Sequence, residues 1–329
     1  MHFDVNNINI KNERHIWIDM VLTLLTLEVM SFFYNGLHSA ALAAVCLLSS
    51  LAAEIVCMRL MKRNFTADDL TVTTDALITA LMLPAVFDYA PAMIACIFAV
   101  VAAKNVFGGR NNMIFSPAAA AYCFMYTSWK GQVLLFQQPH DTAGIFETPE
   151  ILVNSASHVF NTSGKFSYSG FELLMGNFPG PSGAVSILLL LLAAVILMAR
   201  KDISIGAFAG TITGAAVMSC ISPCTNSFFS SFFLTLCTNM VLFAALFIIS
   251  DRRIAPKRAY YAFFYGFFIT VFSYVITATT AKENAIVIVS VLFTPVALGL
   301  KNLEKKIDLA VIEDTSHDVS RSEVKADVQ

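Results

Sequence analysis

Residues Lys104 to Ala121 read KNVFGGRNNMIFSPAAAA. An apolar run ends at the charge of Lys104, the chain turns on Gly108 and Gly109, and apolar sequence resumes carrying Pro117. Backbone departs from helical geometry inside or beside a bilayer only where protein or a water-filled cavity satisfies its polar groups. The stretch therefore reads as a site set into a helical membrane bundle.

The flanking sequence supports a bundle of that kind. Of the 329 residues 57% are hydrophobic and 13% charged, with a mean hydropathy of +0.69. A water-soluble domain of this length would have to expose a very large apolar surface to carry that composition. The expected class is an all-α polytopic membrane protein. The net charge of -2 hides how the charges are distributed, and distribution is what orients such a chain. The first fifteen residues are polar, and the apolar run after Lys11 and Arg14 reads as a retained helix rather than a cleaved leader.

A spanning helix needs about 20 mostly apolar residues. Ten segments come close: Ile16 to Tyr34, Ser39 to Met58, Thr71 to Phe87, Ala92 to Phe107, Ile114 to Trp129, Ala184 to Ala199, Ile203 to Ile221, Phe228 to Ser250, Ala259 to Thr279 and Ala285 to Leu300. With the amino terminus in the cytoplasm, 18 of the 21 Lys and Arg fall inside and only Lys130, Lys165 and Lys282 outside, so both termini are expected to be cytoplasmic. The expected organisation is a cytoplasmic segment over residues 1–15, a five-helix half over 16–129, an outer loop over 130–183, a second five-helix half over 184–302, and a cytoplasmic tail over 303–329. The loop is rich in Ser, Asn and Gly, and loops of that length are usually functional or disordered. The tail holds too few apolar residues to pack and is expected to be disordered.

The halves echo one another. ALITALMLPAVFDYAP (Ala76 to Pro91) resembles VLFAALFIISDRRIAP (Val241 to Pro256), and Phe115-Ser116-Pro117-Ala118 recurs as Phe293-Thr294-Pro295-Val296. The offsets of 165 and 178 suit two halves differing in one link. Five helices per half is an odd number, so the second half would run opposite to the first. That is the inverted-repeat plan in which interrupted helices mark the binding site. Chance similarity between apolar runs is the alternative.

Ionisable residues within apolar segments are costly and default to functional candidates. Here they are Glu54, Asp75 and Lys104, with Asp251 and Glu283 nearer the boundaries. Structural readings compete: Glu54 pairing with Arg59 along its helix, and Asp251 ending its helix against Arg252 and Arg253. The structural reading is preferred for those two, and function for Asp75 and Lys104. Most of the seven cysteines sit mid-helix as small apolar residues. Cys220 and Cys224 have a spacing open to a disulfide or two metal ligands, but no second pair accompanies them. The six histidines have no ligand spacing, and no metal site is expected. Nucleotide-hydrolysis and acyl-transfer motifs are absent. The chain reads as a passive transporter or as one piece of a complex driven elsewhere.

Four stretches together resemble the RnfD and NqrB subunits of ion-pumping ferredoxin or NADH:quinone oxidoreductases. They are TDALITALMLP (Thr74 to Pro84), KNVFGGRNNMIFSPA (Lys104 to Ala118), GNFPGPSGAVS (Gly176 to Ser186) and SDRRIAP (Ser250 to Pro256), with Glu283 before the last helix. The likeness covers Ile16 to Asn302 and favours the Rnf branch, since the Nqr-like branch tends to have an acid where this chain has Asn105. It implies a subunit of an ion-translocating oxidoreductase in the bacterial inner (plasma) membrane, inactive alone, carrying electrons by flavin between ferredoxin and NAD with sodium or proton translocation. Implied partners are the other subunits of the complex, membrane lipid and a flavin-transferring enzyme, with no nucleic acid.

The resemblance further implies FMN esterified to a Thr in a Ser-Gly-Ala-Thr motif of the outer loop, and a second, non-covalent flavin such as riboflavin. This chain has Asn154-Ser155-Ala156-Ser157 there, and Ile151 with Glu150 beside it where an acid is usual. Ser157 is the candidate anchor, offering the primary hydroxyl a phosphoester needs; an ordinary solvated loop serine is the alternative, and the departures weigh against the covalent link. The usual Asn-Pro-Ala is replaced by Ser116-Pro117-Ala118. Amides at Gly108-Gly109, with Phe107, Phe115 and Pro117, are the candidate flavin slot. Two other functions fit the same residues: a non-pumping transmembrane electron-transfer subunit, and a secondary transporter or channel.

Overall fold

The computed structural model describes residues 5–63, 67–107, 113–140, 151–165, 168–225 and 227–307. Gly108, Gly109 and the tail beyond residue 307, on which three sequence expectations rest, lie outside the described residues. Among the described residues three helices are long and apolar enough to cross a membrane: His15–Asn35 within α1 (Val5–Asn35), α2 (Leu37–Leu60) and α13 (Ala259–Thr280). Two bent pairs bring that number up to five: α11 (Phe228–Cys237) with Val241–Ile249, bent by 62°, and α14 (Ala285–Leu292) with α15 (Thr294–Ile307), bent by 47°. Shorter apolar helices are α3 (Thr71–Met82), Tyr89–Asn105, α9 (Ile187–Ala199) and α10 (Ile205–Ile221); α5 (Pro117–Ser128) adds another short helix.

Three of the expected segments are not continuous helices. Thr71 to Phe87 leaves helical geometry after Met82, with Leu83 extended at ψ 158°, because the next residue is Pro84 and a residue before proline is pushed out of the α region. Phe228 to Ser250 breaks at Thr238–Met240, where Asn239 and Met240 both have φ 57°. Ala285 to Leu300 bends at Phe293, just ahead of Pro295. Wide turns of π geometry finish two helices, Ala99–Asn105 after α4 (Tyr89–Phe98) and Ala245–Ile249 after α12 (Val241–Ala244). Such turns gather at functional sites.

The helices share two ends. At one, Arg200 meets Asp19, Ser204 N–H donates to the Ser250 carbonyl, Lys301 reaches Arg253, and the amides of Lys257 and Arg258 donate to Glu304. At the other, Gln137 and His140 bond to the end of α1, and Tyr34 donates to the Met175 carbonyl. We call these the basic end and the loop end. The loop contains local structure that the all-α expectation lacked: α6 (Lys130–Val133), antiparallel strands β1 (Leu135–Gln137) and β2 (Leu152–Asn154), α7 (Ala156–Ser163) and α8 (Gly170–Met175).

At the centre lie α3 and α12, the two members of the sequence echo, and both are buried along nearly their whole length. A helix that stops among buried neighbours leaves carbonyls without partners. Residues 182–183 satisfy those of α3: Gly183 N–H donates to Leu81 O at 2.7 Å, and the Ser182 hydroxyl donates to Leu83 O at 3.1 Å. A Cβ on Gly183 would stand 2.6 Å from Leu81 Cβ and 2.9 Å from the Phe243 ring, so the segment passes between the two helices with no space for a side chain. The tightest pairing joins α10 to α13. Gly206, Gly210 and Gly214 repeat every fourth residue on one helix and face the α13 backbone, while Gly266 faces Ala207, the small-residue packing by which membrane helices approach closely.

Candidate functional site

Two charged clusters occupy the basic end. In the first, Glu54 on α2 is 1% exposed and takes three donors: Lys104 Nζ at 2.9 Å, Asn105 Nδ2 at 2.8 Å and Arg63 at 3.5 Å. Lys104 is itself 1% exposed, and Arg63 continues to Asp69 at 2.8 Å. The π turn at Ala99–Asn105 carries both Lys104 and Asn105 and presents them to the same carboxylate. The expected Glu54–Arg59 pairing is not formed. Five residues along a helix is a rotation of about 500°, which leaves the two side chains about 140° apart, and Arg59 is exposed where Glu54 is buried.

The second cluster joins the two halves. Arg253 holds Asp75 on α3 through its two terminal nitrogens, at 3.1 and 2.6 Å, and Asp251 through Nε at 3.0 and 2.8 Å. Burial works to lower the Arg253 pKa, but Asp251 and Asp75 outweigh it, so the guanidinium is held charged above its ordinary value. Asp251 therefore does more than end its helix: through Arg253 it fixes α3 to the exit of α12. Lys301 Nζ donates to the Arg253 carbonyl at 3.0 Å.

Between the clusters lies a cavity of about 10 Å³ lined by Ser50, Asp75, Thr79, Lys104 and Pro117 among others, room for about one water. Asp75, Lys104 and Pro117, picked from sequence, thus meet around one space, with Glu54 behind Lys104 and Asp251 behind Arg253. Phe107 and Phe115 pack edge to face on each other, 5.7 Å between centroids and 74° between planes, rather than flanking a slot.

The other candidates lie at the loop end. Ser157 is 5% exposed on α7, and its hydroxyl accepts the Asn239 N–H at 3.2 Å. It is thus a buried helix residue bonded to the backbone of the Asn239 break rather than a solvated loop serine. Its neighbour Ser155, the N-cap of α7, donates its hydroxyl to Glu283, both residues being buried. Burial pushes the Glu283 carboxyl up to about 7, opposed by the Ser155 hydrogen bond. A cavity of about 460 Å³ opens beside this region, lined by Leu135, Gln138, Asn154, Lys165, Tyr168 and Pro179 among others, within the range of small-molecule sites. Cys220 and Cys224 are free thiols, with Cys224 Sγ 3.0 Å from the Tyr274 hydroxyl. Among the described residues no group of three or more His, Cys, Asp or Glu is placed to hold a metal ion.

Sequence reading misses several of these residues. In sequence Arg253 reads as a topogenic charge, Asn105 only as a marker of the branch and Ser155 only as a departure from the loop motif, with no contact of any of them legible. The buried acids Asp19 and Asp202 do not stand out either, although Arg200 Nε lies 2.6 Å from Asp19. Burial, then the Asp19 carboxylate, pushes Asp202 up to about 6. A Gly-x-x-x-Gly-x-x-x-Gly spacing at Gly206, Gly210 and Gly214 is the signal in the sequence for the α10–α13 pairing.

Among curated proteins the chain is similar to the D subunit of the Na(+)-translocating ferredoxin:NAD(+) oxidoreductase complex of Acetobacterium woodii, 30% identical over 115 residues, or 35% of this chain and 36% of that protein. It is also similar to the B subunit of the Na(+)-translocating NADH-quinone reductase of Klebsiella pneumoniae, 26% identical over 162 residues, 47% of this chain and 39% of that one. The matching protein of Yersinia pestis is 25% identical over the same shares. The matched stretches thus span less than two-fifths of these relatives' lengths. The family model NQR2, RnfD, RnfE matches residues 8–300, which takes in both charged clusters, the central broken helices and the loop. The chain is a member of the NQR2, RnfD, RnfE family.

Proposed function

We propose that the chain is the D-type membrane subunit of an Rnf-like complex that passes electrons between ferredoxin and NAD and couples the transfer to sodium or proton translocation. The observation that carries this reading is the family match over residues 8–300. The ten apolar segments are then ten passes in two inverted halves, with both termini in the cytoplasm of a bacterial plasma membrane and the basic end facing inward. The shared ends of the helices support that plan, as do the matched positions of α3 and α12 at the centre. In this arrangement Asp75, Arg253, Asp251, Lys104 and Glu54 form a polar path through the inner half of the bundle. Charges at this depth are stable only when paired, and the water-sized cavity between the pairs is an open step on the path.

Flavin, when bound, supplies one-electron chemistry that no side chain here provides. The loop cavity suits a non-covalent flavin: Tyr168 offers a ring face, Asn154 and Gln138 offer amides, and Lys165 offers a cation for a phosphate. Ser157 does not fit a covalent FMN, because its hydroxyl is buried and already bonded to the Asn239 backbone. The test is to purify the chain with its neighbouring subunits and assay ferredoxin:NAD electron transfer, together with flavin released by denaturation. Absence of flavin from an otherwise active assembly would remove the cofactor from the proposal. Failure to co-purify with redox subunits would remove the complex.

A further inference from the structure

Cys46 on α2 and Cys96 on α4 are 0% and 1% exposed, both are free thiols, and the two are hydrogen-bonded to each other. The meeting follows from how the helices pack. Fifty residues separate Cys46 from Cys96, and fifty separate Glu54 from Lys104, whose side chains meet at 2.9 Å. Two contacts in the same order at one offset are what parallel helices in a fixed register give. Between them Ser50, Ala99 and Val100 line the same small cavity as Cys96, and Ala53 shares a cluster with Val100. The thiol contact and the ion pair are thus two rungs between α2 and α4 with its π turn, eight residues apart along each, or about 12 Å.

Buried cysteines are as a rule inert. Cys96 differs in lining the cavity of about 10 Å³, with the Ser50 hydroxyl beside its sulfur and a second thiol, Cys46, in contact with it. Room for about one water admits no bulky oxidant; hydrogen peroxide, one oxygen larger than water, comes nearest in size. A thiol on a cavity with another thiol in reach holds both parts of a sulfenic acid and disulfide couple. In the first step the Cys96 sulfur takes one oxygen of the peroxide: a sulfur–oxygen bond forms, the oxygen–oxygen bond breaks, and the other oxygen leaves as water with the thiol proton. In the second the Cys46 sulfur displaces that oxygen from Cys96: the sulfur–sulfur bond forms and a second water leaves with the Cys46 proton. Two thiols and one peroxide give one disulfide and two waters, the sulfurs being oxidised and the peroxide oxygens reduced.

We propose that Cys46 and Cys96 form a peroxide-oxidisable dithiol whose disulfide ties α2 to α4 next to the Glu54–Lys104 pair. The reaction needs no other subunit and no turnover, so it stands apart from the proposed function. In the experiment the purified full-length chain in detergent is treated with hydrogen peroxide, raised until the exposed Cys220 is oxidised, then unfolded, alkylated at its remaining thiols and digested for mass spectrometry. The expected product is a peptide pair joined through Cys46 and Cys96 that dithiothreitol separates. Oxidised Cys220 with Cys46 and Cys96 both still alkylated would overturn the proposal. Cys46→Ala leaves Cys96 no thiol to close on and is expected to hold it as a sulfenic acid that dimedone labels; dimedone on Cys220 with none on Cys96 would overturn Cys96 as the first sulfur to react. Because the disulfide closes a long loop, oxidised wild type is expected to unfold at a higher midpoint than reduced wild type, with no such rise in Cys46→Ala. A cross-linked chain whose midpoint is unchanged would overturn the tie between the helices.

Discussion

Removing one member of the Glu54–Lys104 pair should damage the protein more than removing both. At 2.9 Å and an effective dielectric near 20, the two charges attract by about 6 kcal/mol. Most of that offsets the several kcal/mol each ion loses on leaving water. In Lys104→Met the carboxylate of Glu54 keeps, among the described residues, Asn105 and the half-exposed Arg63 at 3.5 Å, and the expected loss is about 3 kcal/mol. Glu54→Gln leaves an ammonium at 1% exposure with its salt-bridge partner gone, for a loss of about 3–5 kcal/mol. The double variant Glu54→Gln/Lys104→Met buries no unpaired charge at this position and should lose no more than about 2 kcal/mol. The favourable coupling in the cycle is then at least about 4 kcal/mol, a clear departure from additivity. Thermal unfolding of the full-length chain in detergent reads it: for a chain of 329 residues a loss of about 3 kcal/mol lowers the midpoint by roughly 4 °C. Additive losses within about 0.5 kcal/mol would refute the claim that these charges depend on one another.

Four further outcomes are expected. Gly210→Ala sets a Cβ 2.1 Å from the Phe263 carbonyl oxygen and should destabilise by about 3 kcal/mol or more, whereas Gly299→Ala, with nothing within 4 Å, should gain up to about 1 kcal/mol as a helix-interior glycine is replaced; unfolding midpoints of both variants check the opposite signs. Asp202 has its pKa raised to about 6 by burial and by Asp19, with Arg200 and Arg252 opposing. Its contribution to stability is therefore full below about pH 4, the usual carboxylate range, and is lost as pH rises through about 6, a decline that Asp202→Asn should abolish in midpoints measured from about pH 4 to 8. Ser157→Ala strands the buried Asn239 N–H and should cost about 1–3 kcal/mol, while the denatured wild-type band should be dark under ultraviolet light even when made with a flavin-transferring enzyme; a fluorescent band that Ser157→Ala darkens would restore the covalent anchor. A cysteine placed at Thr162 should react with an impermeant reagent in intact cells and one at Arg253 should not, and the reverse pattern would invert the proposed topology.

Hydropathy alone determined that the chain is a helical membrane protein and where its apolar segments lie, because the bilayer acts on each segment separately and a run of apolar residues is a local property. Pro84 and Pro295 lie inside segments read as continuous, and the structure breaks at both, while Ser116 caps a helix that begins at Pro117, three residues into its expected segment. Asp75 and Lys104 were identifiable because an ionisable residue amid apolar sequence is conspicuous. What each charge is paired with was decided only by the tertiary structure. Glu54 and Lys104 are 50 residues apart, and Asp75 and Arg253 are 178 apart; their partnerships depend on a π turn and on two buried helices meeting at the centre. Ser157 shows the same limit from the other side: the sequence could place a hydroxyl in the loop, but only the packing of α7 against the Asn239 break determined that this hydroxyl faces inward. Which polar groups are left without a partner among the described residues, as the Tyr126 hydroxyl is, is a property of the whole packed arrangement and has no counterpart in any local stretch of the chain.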